Sequence, residues 1–251
     1  SRAVTESAVL YVFCCLAGDE MPANSGMLRP IDILTRPGSL LDPVDPAPVS
    51  SGNVETSQRI VDCLMGALAK AVPHRIPAAS GGSMNNLLFG ALDGRFVHYE
   101  TLACGAGAGP KGPGADGIQV HMTNTLNTPI ERLEQCFPVR VEGYSLAPRH
   151  SGNGGRGVCR SLRFLEPVEL SLSGERRKLS PWGLHGALPG RRGHQYLTDP
   201  QGVKRPLPGK ISLIVEAGSV LHLESPGGGA WQDWSNSQVL AMRSGREEIH
   251  D

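Results

Sequence analysis

The chain has 251 residues, enough to bury one large apolar core or two modest ones. Its 24 basic and 24 acidic residues balance, which excludes the electrostatic footprint of a nucleic-acid or anionic-membrane binder, and no apolar run reaches the ~20 residues of a membrane span. Thirty-two glycines and 20 prolines, against 5% aromatic residues, point to a turn-rich domain with close backbone approaches and exclude a helical bundle.

In chain order, Val9–Leu16 reads as a strand that is apolar on both faces. An exposed edge of that kind invites aggregation, so the chain is expected to be the later part of something longer. A turn at Pro22–Gly26 and a short strand Ile31–Thr35 follow, then a long ordered loop over Pro37–Ser51. Asn53–Val72 carries the clearest helical period: Val54, Val61, Leu64, Met65, Leu68 and Val72 share a stripe, and Glu55, Arg59 and Asp62 occupy another face. Glu55 and Arg59 stand in the favourable i,i+4 order. That face is either solvated or part of a site. Pro73 and Pro77 stop the helix.

A small-residue loop, Ala78–Asn86, closes on the carboxamides Asn85 and Asn86. A hairpin around Asp93-Gly94 is expected to join Leu87–Phe89 to Phe96–Leu102. In its second strand Phe96, His98 and Glu100 share one face. His98 is read as an exposed strand residue. Glu100 is a site candidate, because it leads into the glycine-rich stretch Gly105–Gly117. Gly107–Gly112 formally matches G-x-G-x-x-G, but Pro113-Gly114 forbids the helix that a dinucleotide loop must open. Nucleotide binding through this loop is therefore not expected.

His121–Glu131 is unusual. One imidazole, three threonine hydroxyls, two carboxamides and a carboxylate fall within eleven positions, a density without packing value. Thr128, Pro129 and Glu131 are explained as a helix start, with Thr128 as N-cap and Glu131 completing a capping box. His121, Thr123, Asn124 and Asn127 are left as candidates for the wall of a polar cavity, facing Glu100 and the Asn85-Asn86 loop. From Val139 onward the pattern turns to alternating strands: Phe164, Val168, Leu170 and Leu172, then Ile211, Leu213 and Val215, then Leu221 and Leu223. Pro226–Gly229 can bring backbone against a neighbour or ligand.

The expected class is α+β. A helix-containing mixed part (1–140) precedes a β-rich, turn-rich part (141–235), and the tail 236–251 is read as disordered. Six cysteines lie at 14, 15, 63, 104, 136 and 159 without Cys-x-x-Cys spacing. A reduced cytoplasmic setting is expected, with Cys63 and Cys136 on apolar helix faces.

Seven runs, taken together, carry a resemblance: GNVETSQRIVD (Gly52–Asp62), PAASGGSMNNLLFG (Pro77–Gly90), HYETLACGAGAGP (His98–Pro110), HMTNTLNTPIERLE (His121–Glu134), ERRKLSPWGLHGALPG (Glu175–Gly190), LPGKISLIVEAG (Leu207–Gly218) and SPGGGAW (Ser225–Trp231). In order and separation they resemble the hydantoinase B/oxoprolinase family, and specifically the C-terminal half of its B-type subunit. The resemblance implies part of an ATP-dependent hydrolase of cyclic amides such as 5-oxoproline or N-methylhydantoin. ATP would be bound by an A-type subunit or domain, not by this chain, and that partner would phosphorylate the amide oxygen. The B-type part would carry a divalent metal and the ring opening. Most metal ligands would lie in the N-terminal half of the B-type subunit, outside these residues, with His121 as this chain's contribution. Neither nucleic acid nor a membrane is an expected partner.

Within that frame His121, Glu100, Asn124 and Thr123 are the catalytic candidates, with Glu100 or His121 as general base. Arg59, Asn85, Asn86 and Asn127 are the substrate-binding ones, the amides as neutral donors and Arg59 as a bidentate cation. A component of a related ketone carboxylase, or a scaffold fragment that keeps the fold without the chemistry, are the alternative expectations.

Overall fold

The computed structural model describes residues 1–18, 24–150 and 152–232; the tail 236–251, expected to be disordered, lies outside them. Three helices, α1 (Arg2–Ala17), α2 (Ser57–Ala71) and α3 (Ile130–Cys136), accompany nine strands among these residues. The strands are β1 (Asn86–Ala91), β2 (Val97–Thr101), β3 (Val139–Leu146), β4 (Val158–Phe164), β5 (Val168–Ser173), β6 (His194–Thr198), β7 (Lys204–Pro206), β8 (Lys210–Val215) and β9 (Val220–Glu224). The class is α+β with a β-rich later part, as expected.

The strands form two antiparallel sheets, one of four strands ordered β2-β1-β5-β8 and one of five ordered β3-β4-β9-β6-β7. Inward-pointing residues of both sheets share one apolar core, including Leu87, Phe89, Leu170 and Val215 from the first and Leu162, Phe164, Leu197 and Leu221 from the second. Strand alternation supplies these faces: β4 alternates buried and partly buried residues along its whole length. Phe89 meets Phe137 and Phe164 edge-on, with centroids 5.8 and 5.6 Å away, which locks the core at the β1–β4 contact.

Val9–Leu16 is helical, not a strand. Thr5, Ala8, Val9 and Val12 are the buried residues of α1, a spacing that only a helix places on one side. Ala8 and Val12 meet Val61, Met65 and Ala69 of α2 in a second, smaller core. Because apolar residues stand on every side of Val9–Leu16, local pattern does not separate strand from helix; packing against α2 decides. Residues 31–36 form no strand. Cys63 and Cys136 are exposed, on the outer sides of their helices. The third helix begins after Pro129, and no side chain caps it, so Thr128 and Glu131 form no capping box. The Thr128 N–H instead points at the Glu100 carboxylate, 3.4 Å away.

Between the two cores lies a hub of glycine-rich backbone. The stretches 78–81, 104–109, 114–117, 153–157, 181–190 and 225–230 hydrogen-bond to one another outside any strand, through pairs such as Gly81 N–H to Gly105 O, Gly155 N–H to Ala106 O, Gly228 N–H to Gly155 O and Gly229 N–H to Ala79 O. A Cβ on Gly228 would overlap the Ala106 carbonyl, so only glycine fits there. The approach anticipated for Pro226–Gly229 is therefore made to neighbouring backbone. Gly107–Gly112 closes as a turn through reciprocal Gly109 and Gly112 bonds and opens no helix.

Candidate functional site

The loop 80–86 runs from this hub to β1, across the polar face of α2. Just before α2, Gly52–Thr56 forms a single π-helical turn, a widening that often marks functional positions. It aims the Glu55 carboxylate inward. Oε1 of Glu55 accepts from Ser83 Oγ (3.1 Å), the Met84 N–H (3.1 Å) and Asn86 Nδ2 (2.9 Å), while the buried Oε2 has no partner among the described residues. Burial raises this carboxyl to about 7, because the donors on one oxygen only partly offset the desolvation of its charge and Glu175 adds repulsion. Tyr99 donates to Asn86 Oδ1 at 2.6 Å, which holds the amide with its NH2 toward Glu55.

Two turns along α2, Asp62 is buried and shared by two cations. Arg59 Nη1 lies 2.8 Å from Asp62 Oδ2, and the buried Arg176 guanidinium pairs with the same oxygen. Arg59 thus takes Asp62, three residues on, and not the Glu55 expected from spacing. It also donates to the Gly82 carbonyl. Gly82 is in the left-handed region (φ +54°), and a Cβ there would stand 3.0 Å from Asp62 Oδ2, so this turn needs glycine. The polar face of α2 is therefore buried against the loop, not solvated.

His121 joins at the rim of this cluster. It adopts φ +52°, its Nδ1 lies 3.3 Å from Tyr11 Oη, and its pKa is lowered by burial, with Arg59 and Arg176 adding to the effect and Asp62 opposing it. Asn85 also has positive φ (+48°) and accepts from Arg177 Nη1 at 2.7 Å. Burial brings the Arg177 guanidinium down to about 10, with Glu55 and Glu175 opposing the change. Cys104 lies beneath the loop, its thiol raised to about 12 by burial despite the Gly82 and Ser83 N–H groups, and thus no thiolate nucleophile.

The remaining candidates fall elsewhere. Glu100 is buried in an ion pair with Arg160, 3.7 Å from His98 Nε2. Burial alone would raise its pKa, but His98, Arg160 and Asn127 together hold it below the ordinary carboxylate value. Asn127 Nδ2 reaches Glu100 Oε2 (3.2 Å) and the Thr101 carbonyl (2.6 Å), so this pair does face each other as expected. His98 is buried, not exposed. Its ring lies 5.0 and 4.8 Å from Phe89 and Phe137, because its strand face turns into the sandwich core. Thr123 is buried and accepts from Gln58 Nε2 at 2.7 Å, while Asn124 is exposed. The structure thus brings together His121, Arg59, Asn85 and Asn86, and groups Glu100 and Asn127 in a second polar cluster around Arg160.

No group of three or more His, Cys, Asp or Glu side chains is arranged to hold a metal among the described residues. His121 sits among guanidinium groups, and Asp62 already satisfies two of them, which suits a cation poorly. These residues do not by themselves fit a metal. No described helix is long and apolar enough to cross a membrane.

A family model for hydantoinase B/oxoprolinase matches residues 1–233. The chain belongs to the hydantoinase B/oxoprolinase family. Among its relatives is 5-oxoprolinase 1 of Arabidopsis thaliana, 42% identical over 92% of this chain and 18% of that protein. The B-type subunit of a putative D-/L-hydantoinase from Pseudomonas sp. (strain NS671) is 32% identical over 84% of this chain and 36% of its own length. The fold is shared with an ATP-dependent caprolactamase from Pseudomonas jessenii at TM-score 0.71 and 22% identity, over 90% of this chain and 42% of that one. The chain therefore spans about a fifth to two fifths of these hydantoinase B/oxoprolinase relatives. Two of the runs that carry the family resemblance hold site residues that sequence reading left without a role. Glu55 and Asp62 lie in GNVETSQRIVD, and Arg176 and Arg177 lie in ERRKLSPWGLHGALPG. The shared face of Glu55, Arg59 and Asp62 was the available signal.

Proposed function

We propose that this chain is the C-terminal part of the B-type component of an ATP-dependent cyclic-amide hydrolase, of the 5-oxoproline or N-methylhydantoin type, working in the cytoplasm. The observation that carries the reading is the family match along the whole described chain, with 5-oxoprolinases and a hydantoinase component among the relatives. An unstrained lactam is a poor electrophile. In this reading an A-type partner binds ATP and phosphorylates the amide oxygen, and the N-terminal half of the B-type subunit supplies the ligands of a divalent metal.

This chain then contributes polar groups to the ring-opening site. Addition of water to the activated ring carbon requires a base for its proton, and cleavage of the ring C–N bond, which leaves an acyl phosphate that a second water hydrolyses to carboxylate and phosphate, requires a proton for the departing nitrogen. Glu55, with a free buried oxygen and a pKa of about 7, is suited to both. Arg59 holds the ring and its oxyanion, Asn86 and Asn85 fix Glu55 and Arg177 beside it, and His121 forms the rim. Glu100, tied to Arg160 and Asn127, has the place of a support beneath this wall, together with Thr123; Asn124 is exposed to whatever docks on the chain.

The test is ATP-dependent release of glutamate from 5-oxoproline by the full-length protein with its A-type component. Glu55→Gln should lower kcat by about 10²-fold or more, as the loss of a proton carrier, and His121→Ala should lower it less. Turnover undiminished in both variants would remove these residues from the chemistry. ATP-dependent fixation of bicarbonate onto a ketone, in place of lactam hydrolysis, would move the chain to the carboxylase reading.

A further inference from the structure

Beside the loop 80–86 lies an open cleft of about 700 Å³, lined by Arg59, Glu175, Arg176, Arg177, Lys178 and Lys210 among others. Among the described residues five cations meet two carboxylates here, Glu175 in the wall and Asp62 just behind it, with Glu55 a third when ionised. Both carboxylates are engaged: Glu175 with Lys210 at 2.6 Å, Asp62 with Arg59 and Arg176. Among the described residues Arg177 has no carboxylate at ion-pair distance, and Glu55 and Glu175 act on it only from further off. Its hydrogen bonds go to neutral acceptors, Gln195 Oε1 (3.1 Å from Nε, 2.8 Å from Nη2), Asn85 Oδ1 (2.7 Å) and the Glu175 carbonyl (2.7 Å). These occupy four of its five N–H groups.

Such a guanidinium is costly to bury without a counter-charge, and its position is built, not incidental. A Cβ on Gly174 would come within 2.8 Å of Nη1, and one on Gly193 within 3.0 Å, so two glycines leave the room that the group occupies. The Arg176 Nε and Arg59 Nε atoms are also buried without partners among the described residues. Fixed guanidinium forks around a positively charged hollow are the arrangement that binds tetrahedral oxyanions.

We propose that this cleft is an oxyanion subsite that takes a phosphoryl group or phosphate ion, with the half-buried Arg177 as its anchor and Arg59 and Lys178 at its mouth. The identity of the natural ligand rests on the function proposed above: the phosphoryl group of the activated amide would be held here while the ring carbon faces Glu55. The site itself rests on the geometry alone.

Inorganic phosphate titrated calorimetrically into the full-length protein, without ATP, tests it. Saturable binding is expected, weakened about tenfold in Arg177→Gln and a few-fold in Lys178→Gln, and weakened by salt. Lys178 is exposed, so its variant folds even where Arg177→Gln does not. Phosphate that fails to bind, or binds wild type and both variants alike, overturns the subsite. In a second arm, 5-oxoproline that displaces phosphate in an Arg177-dependent manner makes the occupant a carboxylate and overturns the phosphoryl assignment. Phosphate binding without lactam turnover keeps the subsite and removes the proposed reaction; turnover without Arg177-dependent phosphate binding does the reverse.

Discussion

Glu55 shows how one side chain combines a stability cost with the proton-carrying role proposed for it. Its carboxyl, ordinarily near 4.5, is raised to about 7 in the folded protein, chiefly by burial. Between those values the folded state holds a proton that the unfolded chain has released. Stability therefore falls as pH rises through that window and levels off above it. The difference amounts to at most about 3.5 kcal/mol at about 1.4 kcal/mol per unit. Glu55→Gln keeps an acceptor for Ser83, Met84 and Asn86 without the charge, so it should gain stability over wild type at pH 8 and lose that gain at pH 4.5. Chemical denaturation at the two pH values checks this; a pH-independent difference would mean that Glu55 ionises freely in the fold.

At the scale of elements, the hub replaces side-chain packing with backbone packing. Gly228 carries no strained φ, so its requirement is steric: a methyl there meets the Ala106 carbonyl and the Gly107 N–H from a neighbouring segment. Gly228→Ala should cost about 3 kcal/mol or more, by forcing apart segments that have no flexible side chain to move. Gly143, at the irregularity in β3, faces only Ser161 at 3.9 Å, and its alanine variant should stay within about 1 kcal/mol of wild type. Thermal melts of the two variants compare them directly.

The strands from Val139 onward were legible because alternation is a short-range signal, and the two sheets follow it. The hub was legible only as a glycine excess, since mutual contact of six distant stretches leaves no period. In α1 the apolar run was visible but its geometry was not, because the deciding partner, α2, lies some forty residues on. The site divided along the same line. His121, Arg59, Asn85 and Asn86 stood out through residue type, whereas Arg176 and Arg177 become legible only when their strand neighbours bring them under the loop. Glu100 illustrates the converse: a carboxylate beside a glycine-rich loop suggests chemistry, and a buried Arg160 from β4, sixty residues away, accounts for it instead.

As a whole, the molecule has two apolar cores with the polar site at their seam. The smaller one, between α1 and α2, carries Glu55, Arg59 and Asp62, while the sandwich carries Asn86 and the segment with Arg176 and Arg177. Loosening the smaller core should thus disturb the site without melting the sandwich. Val12 is fully buried there, and Val12→Ala should cost about 1–3 kcal/mol. Hydrogen exchange is expected to quicken over residues 2–17 and 57–71 and to stay unchanged in β4 and β9. Uniform acceleration would show a single cooperative unit.

The hub also imposes an order on how the protein is made. Ala79, at the root of the site loop, is held by the Trp182 carbonyl on one side and by the Gly229 N–H on the other. As the chain leaves the ribosome, the helices, the hairpin and most of the sandwich can form before residues 225–230 arrive. The loop that carries Gly82, Ser83, Asn85 and Asn86 has no fixed seat until that last segment threads in. A nascent chain stalled short of residues 225–230 therefore holds the loop residues without the seat that shapes them.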